Sequence, residues 1–144
     1  MDFEQIEDAI LAALKAQMSY VRTCETYAGQ LEAEIDKLVI NFPAVFVSYT
    51  GSDLDCIDNA SNFNEAVGFS ILVAAKNLKG KTAARKDAYG CYQMIREVLT
   101  VLTNKNLGLN IEKLKPTKVS LLYISTTMAI YGIDFQTNFD DTYE

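Results

Sequence analysis

Residues 75–82, AKNLKGKT, come nearest to a chemical motif in this chain. A phosphate-binding loop needs Gly-x-x-x-x-Gly-Lys-Ser/Thr between a buried strand and a helix, so that backbone N–H groups and the lysine cradle phosphate oxygens. Gly80, Lys81 and Thr82 supply the second half of the pattern, but Ala75 stands where the first glycine belongs. A Cβ there hinders the tight turn that aims the N–H groups. Nucleotide binding through 75–82 is therefore the alternative reading, set against a plain lysine-rich turn. Lys76, Lys79, Lys81, Arg85 and Lys86 crowd the same stretch and could meet nucleic-acid phosphates. An acidic pI of about 4.7 makes nucleic acid an unlikely main ligand. An acidic patch on another protein suits these cations better.

Other constellations fail on spacing. Asp53, Asp55 and Asp58 with Glu65 hint at calcium. An EF-hand loop starting at Asp53 would need Asp or Asn at Ile57, glycine at Asp58 and glutamate at Asn64. The chain has no histidine, which removes Ser-His and Cys-His nucleophilic pairs and the commonest metal ligand. Cys24, Cys56 and Cys91 are an odd set without CxxC spacing, which reads as thiols rather than a zinc site or a disulfide frame. No two carboxylates are spaced to suggest acid and base roles. The expectation is a protein with no catalytic, cofactor-binding or metal residues, and not an enzyme.

The elements that would position these residues follow from periodicity. Asp2 with Gln5 forms a capping box for a helix over 3–18, with Ile6, Ile10, Leu14 and Met18 as its buried stripe. A polar connection over 19–26 has room for a short strand. Leu31, Ile35, Leu38 and Phe42 mark a second helix that Pro43 ends. The apolar run 44–49 is a strand, and 50–64, rich in Gly, Ser, Asp and Asn, is a loop. A buried strand over 65–76, a turn at 77–81 and a long helix over 82–103 follow. After an irregular stretch at 104–116, strands over 118–125 and 128–138 close the chain, with a mobile acidic tail at 139–144. The order α-α-β-β-α-β-β implies a single α+β domain spanning 1–144. Its sheet would be four-stranded and mostly antiparallel, with about three helices on one face. The other face would need a cover, which a partner subunit could supply.

Charge is segregated along the chain. Residues 1–65 carry a net −9, residues 66–118 a net +7 and residues 119–144 a net −4. Either the segments neutralise one another in the fold or they form acidic and basic faces that join neighbouring copies head to tail. Asp53, Asp55 and Asp58 against Lys79, Lys81, Arg85 and Lys86 are the candidate subunit or tube contacts. No apolar run approaches the ~18 residues that cross a bilayer, and the acidic start, MDFEQIEDAI, is unlike a signal or transit peptide.

Three phrases carry a family resemblance: IEDAILAALK, the segment YAGQL…FPAVFV, and LYISTTMAIYGIDFQTNF. Together they resemble the tail-terminator family of Mu-like phages and prophages, over most of the chain. The lysine-rich turn matches no motif of that family. The resemblance implies a non-enzymatic virion-assembly protein that forms a ring, typically a hexamer, on the growing tail tube. The ring ends tube polymerisation and offers the head-joining surface. The implied partners are other copies of the chain, the tail-tube protein and a head-connector protein, with DNA passing through the ring and no membrane. The implied location is the bacterial host cytoplasm during assembly and then the virion tail. A monomeric adaptor is the remaining alternative.

Overall fold

A computed structural model of the chain describes residues 1–32, 40–58, 61–77 and 79–143. Along the chain lie α1 (Phe3–Gln17), β1 (Thr23–Thr26), β2 (Ala44–Cys56), β3 (Asn62–Lys76), α2 (Lys81–Lys86), α3 (Cys91–Leu102), β4 (Lys115–Ile124) and β5 (Met128–Thr142). The capping box forms: the Asp2 carboxylate accepts from the Glu4 N–H, and the Gln5 side chain answers the Asp2 N–H. Ile6, Ile10, Leu14 and Met18 are buried as their spacing predicts.

The fold is α+β, but its sheet has five strands in the order β1-β2-β3-β5-β4. The possible strand in the polar connection is β1, which lies parallel to β2. The sheet is therefore mixed, with five strands and one parallel pair, where a four-stranded, mostly antiparallel one was expected. Parallel neighbours need a long crossover, and residues 27–43 supply it. The second helix expected there falls largely on residues 33–39, outside the described residues. Of its flank, 27–32 is turn rather than helix.

Three further expectations change. The loop over 50–64 is instead a hairpin arm, in which β2 runs on to Cys56 against β3 from Asn62. Its turn-forming residues are held extended because β5 flanks β3 along its whole length, Asn62 opposite Thr142 and Lys76 opposite Met128. Residues 139–142, expected to be mobile, complete β5, and Phe139 is buried. The long helix over 82–103 divides into the six-residue α2 and α3. At the break a Cβ on Gly90 would lie 2.8 Å from the carbonyl oxygens of both Ala84 and Asp87, so the chain turns where only glycine fits.

The helices pack on one face of the sheet. Val67, Phe69, Ile71 and Val73 of β3 and Ile133 and Phe135 of β5 face the apolar sides of α1 and α3 in one core. On the opposite face, Ala44, Phe46, Ala74, Met128 and Ile130 form a smaller core under Tyr27, Leu31, Ile40 and Phe42. The cover expected from a partner is thus supplied, at that end of the sheet, by the crossover segment.

Candidate interaction surfaces

The sheet sends the two candidate charge clusters to its opposite ends. β2, β3 and β5 are mutually antiparallel, so the hairpin arm and the end of β5 lie together at one end. Asp53, Asp55 and Asp58, all exposed, sit there with Asp140. At the other end β3 delivers Lys76, followed by Lys79, Lys81, Arg85 and Lys86 in the turn and α2. Asn64, which pairs with Asp55, stands about twelve residues from Lys76, roughly 40 Å along the strand. The two candidate clusters therefore do not neutralise each other within one chain. Among the described residues the ion pair formed is that of the Met1 amine with Asp141, at 3.0 Å.

Arg85 parts company with the lysines beside it. Its guanidinium lies against the Tyr131 hydroxyl, which raises its pKa, and its Nε is buried without a partner. The Tyr92 ring stands 6.1 Å from that of Tyr131, and Tyr131 is opposite Leu121 of β4. Arg85 is thus set among aromatic side chains, while Lys79, Lys81 and Lys86 are exposed.

The calcium and phosphate motifs dissolve in the geometry. Asp53 and Asp55 lie on the face of the sheet away from the helices, opposite Ala66 and Asn64. Glu65 is on the helix side, buried, with neither carboxylate oxygen hydrogen-bonded. Asp58, in the hairpin turn, accepts from Asn62 Nδ2. Among the described residues no group of three or more acidic or thiol ligands converges. In the loop 75–82 the Lys79 N–H donates to Asn77 Oδ1 at 2.9 Å and the Gly80 N–H to the Asn77 carbonyl at 3.0 Å. Two N–H groups that a phosphate would need are thereby occupied by the chain itself. The thiol of Cys91 is buried, donates to the Ala129 carbonyl at 3.3 Å, and is pushed up to about 11 by burial. It is no ready nucleophile.

The surface that sequence reasoning missed is β4. It forms one edge of the sheet, and α1, α2 and α3 leave it uncovered. Val119, Leu121 (50 % exposed), Leu122 (54 % exposed), Tyr123 and Ile124 all face solvent. Periodicity marks such a run as a strand, and its apolar content marks it as buried. Only its place at the sheet edge exposes it. On the helix side this strip continues into Tyr92 and a hollow of about 530 Å³ lined by Ile95, Arg96 and Leu99 of α3. On the other face a second hollow, about 450 Å³, is polar, lined by Thr50, Ser52, Asp53, Gly68, Asp134 and Gln136.

No helix among the described residues is long and apolar enough to cross a membrane. No curated protein matches the chain at a significant level. A family model described as Bacteriophage Mu, Gp37 matches residues 2–140.

Proposed function

The chain belongs to the Bacteriophage Mu Gp37 family, and from that premise we propose that it is a non-enzymatic tail terminator. Family membership makes it a Mu-like phage protein of the structural, morphogenetic kind. Within that class, the observation that carries the terminator reading is the separation of two exposed clusters, Asp53, Asp55 and Asp58 and Lys79, Lys81 and Lys86, to opposite ends of one sheet. A terminator must hold unlike partners at its two ends, the tail-tube protein at one and the head-connector protein at the other. A ring of copies set side by side presents one acidic and one basic rim. A ring is closed by a heterologous contact, with different patches of each copy meeting, and the hexamer is the expected size. Of the candidate residues, Asp58 lies at one rim and Lys79, Lys81 and Lys86 at the other; Asp53 and Asp55 stand beside the acidic rim on the outer strand β2, and Arg85 is held among aromatic side chains. DNA would pass through the ring. The protein would assemble in the host cytoplasm and remain in the virion tail.

The test uses the full chain and its tube subunit. Tubes polymerised with increasing amounts of the chain are expected to shorten and to carry a ring of density at one end by electron microscopy. Unchanged tube lengths with bare ends would overturn the reading.

A further inference from the structure

Two outer edges of the sheet are left without a strand among the described residues. One is β4 along its whole length. The other is β2 beyond Val47, because β1 pairs only with Ala44, Val45, Phe46 and Val47. Unpaired edges present rows of N–H and C=O groups to any passing strand, and proteins blunt them with lysine, proline and bulges. β4 has lysine and proline only in its first half, at Lys115, Pro116 and Lys118; bulges lie between Pro116 and Lys118 and between Leu121 and Tyr123. Its second half, VSLLYI from 119 to 124, has no charge and no proline. An edge of that composition sticks to other strands unless something occupies it.

The two edges are complementary in charge, direction and face. The exposed β2 edge carries Asp53 and Asp55 and no base, whereas β4 carries Lys115 and Lys118 and no acid. Strand directions alternate through β2, β3, β5 and β4. A copy rotated about an axis along the strands therefore offers its β2 antiparallel to β4. Antiparallel pairing brings the first half of β4 against the last half of β2, which is where the lysines and the aspartates lie. Face agrees as well. Lys118 pairs with Asp134 and Lys115 with Gln136, on the same side of the sheet as Asp53 and Asp55. The bulge at Thr117 reduces Lys115 and Lys118 to two strand steps, the spacing of Asp53 and Asp55.

We propose that β4 of one copy adds to the outer edge of β2 in the next, antiparallel, with Lys118 opposite Asp53 and Lys115 opposite Asp55. This rests on the ring reading and names the contact that closes it. Within one chain Lys115 stands level with Gly51, through Gln136 and Gly68. Pairing it with Asp55 of the neighbour shifts each copy by about four residues, roughly 14 Å. Four strands per copy at ~4.8 Å give about 19 Å of width, so the shift corresponds to a strand tilt of roughly 36°. Closed sheets typically tilt by about 35–45°. Residues 119–123 of β4 then lie beside residues 48–52 of the neighbour, whose backbone satisfies that part of the edge.

The experiment introduces Lys118→Cys and Asp53→Cys together, in the full chain with Cys56→Ser. Under mild oxidation the expected result is a ladder of covalent oligomers on a non-reducing denaturing gel. Either cysteine alone should give no ladder. In parallel, Lys115→Glu with Lys118→Glu should weaken assembly at least about tenfold by light scattering, and adding Asp53→Lys with Asp55→Lys should restore it. Oligomers of unchanged mass that yield no ladder, with no effect of the charge reversals, would overturn this interface and leave the ring standing. A strict monomer at high concentration with no ladder would overturn both.

Discussion

Glu65 is the residue whose surroundings least match its chemistry. Its side chain is 1 % exposed and both carboxylate oxygens lack a partner. Burial raises its pKa, Asp141 adds to the rise, and the N-terminal amine opposes it. The unfolded chain releases this proton near the ordinary glutamate value of 4.5, while the folded chain holds it longer. Stability is therefore fullest below that value and falls as pH rises through the folded one. Glu65→Gln removes the cost of burying the charge. It should raise stability at pH 7 by on the order of 1 kcal/mol, a rise in Tm of about 4 °C, and should lose this advantage at pH 4. Thermal melts at the two pH values check it, and an unchanged or lower Tm at pH 7 would refute it. Nothing in the sequence singles out Glu65 from Asp53 or Asp55. The alternation of β3 places it on the helix side with Val67, Phe69 and Ile71, whereas the expected strand over 65–76, apolar on both faces, did not show which face the helices cover.

At the scale of elements, local signals succeeded where burial and periodicity coincide. The capping box fixed the start of α1, and the apolar runs located β2, β3 and β5. They failed where pairing overrides propensity. Gly51, Ser52, Asp53 and Asp55 favour a turn, yet they extend because β3 is already held by β5. The short β1 is strand only because β2 offers it a free edge. The division of the long helix was hidden because 82–103 keeps helical spacing across the break, and its cause is the close approach at Gly90. Gly90→Ala would force a Cβ to 2.8 Å from two backbone oxygens. It should cost about 1–3 kcal/mol, read as a fall in denaturation midpoint. Gly108→Ala is the control. Its Cβ meets open space and only its φ of 75° is strained, so its cost should be about 1 kcal/mol. Equal costs for the two would contradict the account of the break.

For the whole molecule, the legible part was charge segregation along the chain, and the illegible part was where topology would put it. The sequence left open whether the −9 and +7 segments cancel, and strand direction answers it by sending the candidate clusters to opposite ends. The proposed contacts between such rims and unlike partners would act across solvent, where salt screens them. Binding to the tube end should weaken as ionic strength rises from 0.05 to 0.5 M, measured by co-sedimentation with preformed tubes. Affinity that is flat across that range would argue that apolar surface alone joins them. The strand order has one more effect, on when a copy becomes usable. β5 follows the other four strands in sequence, yet it sits between β3 and β4. A ribosome delivers the middle of the sheet after its edge, so β4 has no partner in its own chain until β5 emerges. An incomplete chain cannot present β4 in register, so in the proposed ring synthesis itself would keep unfinished copies out.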